Sequence, residues 1–445
     1  MGHSCASCRA RGLRLNRLSL HCIAAHRTRE SIVSTSNIAN RPLNCRRSGD
    51  SMTFRIAERM SRLGTESAFE VLAHARRLEA EGRSIIHLEI GEPDFATPGN
   101  ITDAAVRAMR DGATHYTPAS GIPAVREATA QYVSKHHGVP TRAENIVITP
   151  GSKNILLFAL LILVEEGDEV IVPDPGYPIY RSLVNFIGAK PVSLPVRQTN
   201  DFRVDPEELR SLVTSRTRLL IVNSPQNPTG GVLTREDCEA IARIAEDHDL
   251  LVLSDEIYNR LVYDGEHTSL YALDGMANRT ILLDGLSKAW AMCGWRLGFG
   301  AMPVEIARRM DTLMINSSSC AAAFTQWAAV EAFESAESDA AVDEMVAEFH
   351  QRRDILVDAL QELPGFRCHR PQGAFYVFPD ITETGWDEHE LANALLDEVG
   401  VAVLRGSSFG PHGAGHIRLS YANSVENLKA ATDRIATFLG AGVAR

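Results

Sequence analysis

Between Ile146 and Gly300 the chain alternates short apolar runs with stretches of helical periodicity, and this alternation restricts the fold more than any other feature. Ile146–Thr149, Glu169–Val172, Leu219–Asn223, Leu250–Ser254, Thr280–Leu283 and Leu297–Gly300 read as buried strands. Ser152–Glu165 and Thr234–His248 read as helices between them, the second opened by Thr234 with Asp237 three residues on. Strands joined through helices form a largely parallel sheet covered on both faces, and such sheets bind ligands beyond the carboxyl ends of their strands. The expected class is therefore α/β.

After Ala321 the pattern changes. Long helical stretches (Thr325–Glu334, Ala340–Leu363) lead to strand-like Ala374–Phe378 and Ile417–Tyr421, then to a closing helix from Val425. This reads as a smaller α+β domain. Phe54–Gly82 is expected to be helical and to precede a first strand-like run, Ile85–Ile90. The expected organisation is a leader over 1–51, an N-terminal segment of the small domain over 52–99, a large domain over 100–330 and the rest of the small domain over 331–445.

Charge and hydropathy exclude two classes of partner. The net charge of −11 argues against nucleic acid, whose phosphates need a basic surface. The longest apolar run, Ile155–Val164, is half of the roughly 20 residues that cross a bilayer. The first 51 residues differ from the rest: nine Arg against Glu30 and Asp50 give +7, leaving −18 for the other 394 residues. Such a leader can be a transit peptide. The whole chain has five Lys against 40 Arg, however, as expected from a GC-rich genome, and upstream DNA read in frame there yields the same composition. Met52 is the favoured start. Cys5 and Cys8 have metal or redox spacing but no second pair at zinc-site distance, so no metal is expected. Cys238, Cys293, Cys320 and Cys368 are widely spaced and point to a reducing, cytoplasmic setting.

With five lysines, the reactive one can be sought by elimination. Lys135 and Lys429 lie in polar helical stretches and Lys190 opens a strand, whereas Lys153 and Lys288 directly follow strand ends. Only Lys288 is followed by a pocket-like run, in DGLSKAWAMCGWRLGFG, with Ser287 before it and Arg296 eight residues on. Asp284–Gly298 resembles the cofactor-attachment signature of the class I/II pyridoxal-phosphate (PLP) aminotransferases of fold type I, in their aspartate aminotransferase-like subfamily. The resemblance extends in order through LEIGEPDF (88–95), HYTPASG (115–121), PDPGYPIY (173–180), NSPQNPTGG (223–231), SDEIY (254–258), GAFYVFP (373–379) and HIRLSYA (416–422).

The resemblance implies a large domain with a mostly parallel seven-stranded sheet between helices, a smaller α+β domain, and a homodimer with shared sites. It implies that Lys288 carries PLP, that Asp255 keeps the pyridine nitrogen protonated, and that Asn227 and Tyr258 hold the ring's phenolic oxygen. Gly151, Ser152, Lys153, Ser287 and Arg296 would hold the phosphate, partly through free N–H groups at a helix start. Tyr116 would reach it from the neighbouring subunit, and Tyr177 would cover the ring. Arg418, a cation suited to bidentate contact, would take the substrate α-carboxylate. Gly91 would close over the substrate, and Asn227 would precede a cis proline. Two positions depart from relatives: Gly285, a phosphate-binding serine in some, and Arg405, often proline, at the expected rim.

The implied reaction is ping-pong transfer of an amino group between an L-amino acid and a 2-oxo acid. Lys153 favours aspartate or glutamate, being placed to meet a distal carboxylate, while Ala68 lacks the hydroxyl that such enzymes offer nearby. Alanine, aromatic or N-succinyl-diaminopimelate substrates stay open. So does a PLP lyase or synthase, whose cofactor contacts would be the same. An aminotransferase-like transcription regulator would need an N-terminal DNA-binding domain of about 60 residues or more, which the leader is too short to supply.

Overall fold

The computed structural model describes residues 54–442; the leader expected over 1–51 lies outside them. In chain order the strands are β1 (Ile86–His87), β2 (Ile146–Thr149), β3 (Glu169–Asp174), β4 (Lys190–Pro195), β5 (Thr217–Asn223) and β6 (Leu251–Asp255). They continue with β7 (Thr280–Gly285), β8 (Gly298–Ala301), β9 (Tyr376–Val377), β10 (Val401–Ala402), β11 (Leu404–Arg405) and β12 (Ile417–Ser420).

Strands β2 to β8 form one seven-stranded sheet in the order β2-β8-β7-β6-β5-β3-β4. Only β8 runs against its neighbours, pairing antiparallel with both β7 and β2. The near-continuous apolar runs follow from burial on two faces. Ile146 and Ile148 pack into one core cluster and Val147 into another, and Leu219 and Ile221 are separated from Leu220 and Val222 in the same way. The helix Arg235–Asp247 begins as expected: Thr234 Oγ1 accepts from Asp237 N at 3.1 Å and Asp237 Oδ2 accepts from Thr234 N at 2.9 Å.

One edge of the sheet gathers the ends that matter. Asn223 is in register with Asp255, Gly285 with Gly298, and Gly298 with Thr149. Because β8 is reversed, its first residue lies beside the last residues of β7 and β2. Three separated motifs therefore open on the same edge.

The small elements differ from the expected spans. Phe54–Gly82 is not one helix: a 3-10 turn over Glu58–Arg62 and a helix over Ser67–Ala80 are separated around Gly64, whose N–H donates to Ser182 Oγ at 2.9 Å. The run Ile85–Ile90 pairs over two residues only, Ile86 with Val401 and His87 with Ala402. Strand β12 pairs with β11 on one side and β9 on the other, so both of its edges are satisfied.

Candidate active site

A cavity of about 350 Å³ opens at the carboxyl edge of the sheet. Gly91, Ser152, Lys153, Tyr177, Asn227, Asp255, Tyr258, Ser287, Lys288, Arg296 and Arg418 all line it. Gly151 and Tyr116 do not. Gly151 has φ +85°, and a Cβ there would lie 2.3 Å from Arg296 Nη2, so the guanidinium passes over the bare glycine. Tyr116 is 89% exposed.

At one end, Ser152 precedes the helix Lys153–Leu163; Asn154 N and Ile155 N donate back to Gly151 O and Ser152 O, which leaves the N–H groups of Ser152 and Lys153 at the helix start for a ligand. Ser152 Oγ donates to Asp284 O at 2.9 Å, and Cβ atoms at Gly285 and Gly298 would lie 2.3 and 2.6 Å from that same Oγ. Gly285 is thus bare for lack of room beside Ser152. Ser287 and Arg296 complete a set of hydroxyl, guanidinium and free N–H donors suited to a phosphate. Arg405, expected at the rim, does not line the cavity; its Nε donates to Ser408 Oγ at 3.2 Å.

In the middle, Lys288 Nζ donates to Gly91 O at 2.6 Å and lies 3.9 Å from Cys293 Sγ. Asp255, at the end of β6, accepts from Tyr180 Oη at 2.6 Å and from Ile257 N at 3.3 Å. Burial pushes its carboxyl from the usual 3.8 up to about 6, against the pull of those two hydrogen bonds. Such a group holds its charge readily only beside a cation. Tyr258 Oη is 2.8 Å from Tyr376 Oη, and burial raises the Tyr258 phenol well above its ordinary range.

At the far end, Arg418 projects from β12 while its neighbours Ile417 and Leu419 pack into the core. Its guanidinium is buried, with Nη1 donating to Asn227 Oδ1 at 3.0 Å and Nη2 to Glu89 O at 2.5 Å. Nε has no partner, and no carboxylate of the described residues lies within 4.0 Å of it. Burial lowers its proton affinity accordingly. A buried guanidinium without an anion is costly, and this one opens onto a cavity that a carboxylate could enter. The peptide Asn227–Pro228 is cis, as expected.

Among the lining residues that escaped the reading of the sequence, Tyr180, Tyr376, Cys293 and Glu66 carry polar groups into the site. Glu66 accepts hydrogen bonds from both Lys153 Nζ and Tyr177 Oη, the latter at 2.9 Å. Lys153 is therefore already ion-paired at the cavity rim. Tyr376 also fills the space over Gly91, where a Cβ would lie 2.1 Å from its Oη. Gly91→Ala is expected to displace Tyr376 from Tyr258 and raise KM for the amino donor about tenfold, with little change in thermal stability; unchanged steady-state constants would contradict this reading.

Residues 83–435 match the family described as aminotransferase class I and II. The chain is 42% identical to an aspartate aminotransferase of Pyrococcus horikoshii, over 85% of this chain and 96% of that one. It is also 42% identical to an aromatic-amino-acid aminotransferase of Thermococcus litoralis, over 79% of this chain and 90% of the relative. Among solved structures, the aspartate aminotransferase of Thermus thermophilus with maleate superposes with a TM-score of 0.84 at 38% identity, covering 86% of this chain and 100% of that one. The chain belongs to the class I and II aminotransferase family, with the fold type I architecture. It is an aminotransferase of the PLP-dependent kind.

Proposed function

We propose that the cavity holds PLP and moves an amino group between an acidic L-amino acid, aspartate or glutamate, and a 2-oxo acid. The observation that carries this reading is Arg418, a buried guanidinium without a carboxylate partner, lining the same cavity as Lys288. Ser152, Ser287, Arg296 and the helix start beyond Gly151 would hold the phosphate. Asp255 would hold a proton at the pyridine nitrogen, Asn227 and Tyr258 would hold the ring oxygen, and Lys288 Nζ would bond the aldehyde carbon. When bound, PLP supplies an electron sink for the pair left on the substrate Cα.

The chain's own groups do the rest. Arg418 binds the α-carboxylate and fixes which bond of Cα is presented. Lys288 Nζ, facing the cavity beside Gly91 O, would take the proton from Cα. Asn227 Oδ1 is engaged by Arg418, which leaves its Nδ2 as the donor towards the ring oxygen. Tyr177, whose phenol is raised by burial and tied to Glu66, walls the cavity near its rim.

The exposure of Tyr116 supports a homodimer in which it completes the partner's phosphate site. We also propose that residues 100–330 bind the cofactor while 52–99 and 331–445 form a smaller unit carrying Arg418; the β1–β10 pairing supports this. No described helix is long and apolar enough to cross a membrane, and Cys238, Cys293, Cys320 and Cys368 are free, which fits a cytoplasmic setting.

A second reading, a neutral or aromatic side chain, is favoured by the pairing of Lys153 with Glu66 and by Ala68, Phe69 and Ile90 along the wall. The two readings separate in a donor panel. If Lys153 meets a distal carboxylate, Lys153→Ala lowers kcat/KM for aspartate by about 30-fold or more, through loss of roughly 2–5 kcal/mol, and spares alanine. Glu66→Gln, which frees the ammonium, should then raise aspartate turnover. Equal losses on both donors, or no wild-type activity on aspartate and glutamate, would decide for the second reading.

A further inference from the structure

One residue beyond Asp255, Glu256 meets His137 and His267 in a cluster that the amino-transfer chemistry does not use. His137 is the last residue of the helix Pro123–His137, Glu256 directly follows β6, and His267 lies in the segment between β6 and β7. One donor atom from each lies within 4.8 Å of the other two. His267 Nε2 is 2.7 Å and His137 Nδ1 is 3.4 Å from Glu256 Oε2. The other carboxylate oxygen, Oε1, accepts from Ser254 Oγ at 2.7 Å and Ser269 Oγ at 2.8 Å.

The polar accounting is incomplete. The His137 side chain is 99% buried, and neither of its ring nitrogens has a well-formed hydrogen bond; the 3.4 Å approach to Glu256 is an ion-pair distance without hydrogen-bond geometry. His267 Nδ1 is unpartnered as well. Each buried polar atom left in this state costs about 1–3 kcal/mol. A hydrogen bond from His267 to Glu256 accounts for one imidazole and leaves the other without a role.

We propose that His137, Glu256 and His267 form a binding site for one divalent transition-metal ion of the zinc class. Two imidazoles and one carboxylate are a borderline donor set matched to Zn²⁺. Bonds of about 2.0–2.1 Å in a tetrahedral shell place ligand atoms about 3.3 Å apart. The His137–Glu256 spacing already meets that distance, and the His267–Glu256 contact needs to open by about 0.6 Å. The serine hydroxyls on Oε1 orient the carboxylate so that Oε2 is the ligand, the role that outer partners play in built metal sites. The fourth position would hold water. The ion would join the end of one helix, the end of β6 beside Asp255 and the β6–β7 segment. Its role would be structural.

The experiment uses the full chain with its cofactor, dialysed against a chelator and titrated with Zn²⁺ in competition with a chromophoric chelator. About one equivalent should bind per chain, tightly enough to compete, and raise the thermal midpoint. Co²⁺ should give the intense visible bands of a tetrahedral site, at wavelengths beyond the cofactor's own absorption. His137→Gln and His267→Gln should each weaken binding by about 100-fold or more. Should those variants fail to fold, the wild-type Co²⁺ spectrum decides alone. Absence of tetrahedral bands, or binding unchanged by either substitution, overturns the proposal.

Discussion

Lys288→Ala is expected to lower turnover by about 10⁴-fold or more, the largest single effect at this site. Two losses combine in it: a positioned general base, by itself worth about 10²–10⁴-fold, and the amine that would bond the cofactor. The structure suggests little accompanying damage to the fold. Lys288 Nζ donates to Gly91 O and, over a longer distance, to Cys293 Sγ, and is otherwise near the rings of Tyr258 and Phe375. Borohydride treatment separates this role from a merely structural one. It should fix the cofactor's mass to the wild-type chain and leave Lys288→Ala unmodified, while the thermal midpoints of the two proteins stay close. A variant that still retains cofactor covalently after reduction would transfer the assignment to another amine. Lys153 is the obvious alternative, since it is the other lysine at a strand end.

Six strands of the large sheet were legible because they are buried on both faces, which leaves uninterrupted apolar runs such as Leu219–Val222; the edge strand β4, half-buried over residues 191–193, leaves no such run. Arg418 was legible because HIRLSYA (416–422) resembles the family's motif and its alternation sets the arginine on the opposite face of the strand from Ile417 and Leu419. Glu66 was not, because its position depends on the break at Gly64, which turns an expected helical residue into an extended one facing Lys153. Its neighbour Ala68 was noticed only for a missing hydroxyl. Tyr180 carried a weak signal: it is three residues after Tyr177, in the first turn of a helix that opens at Pro178. Its partner, Asp255, is 75 residues away, a pairing that only the β3–β5–β6 order brings together. Tyr376 sat within a quoted motif without a role, since its hydroxyl contact with Tyr258 joins β9 to the end of the large sheet. The His137, Glu256 and His267 cluster left no spacing pattern, because its members come from three elements separated by up to 130 residues of chain.

Asp255→Asn is expected to produce opposite effects on stability and on catalysis. The carboxyl is fully buried, and desolvation pushes it from 3.8 up to about 6; Tyr180 and Ile257 pull it back in part, the charge of neighbouring Glu256 opposes them, and Lys288 helps slightly. A carboxyl raised on folding favours the folded chain while it is protonated. That contribution is present below about pH 4 and is lost as the pH rises through about 6, after which the ionised group costs about 3 kcal/mol. Asparagine keeps an oxygen for the Tyr180 hydroxyl and cannot ionise. The cofactor-free variant should therefore match the wild type near pH 4 and exceed it by up to about 3 kcal/mol at pH 7.5, by denaturant unfolding. Turnover should move the other way, falling by about 10²- to 10³-fold, because the charge that holds a proton at the pyridine nitrogen is gone. Cofactor affinity gives a third reading: in the wild type it should weaken as the pH falls through about 6, and in Asp255→Asn it should lose that dependence. Parallel stability curves for the two proteins between pH 4 and 8 would mean that Asp255 is not the strained anion described here, and its role in holding the cofactor would need another basis.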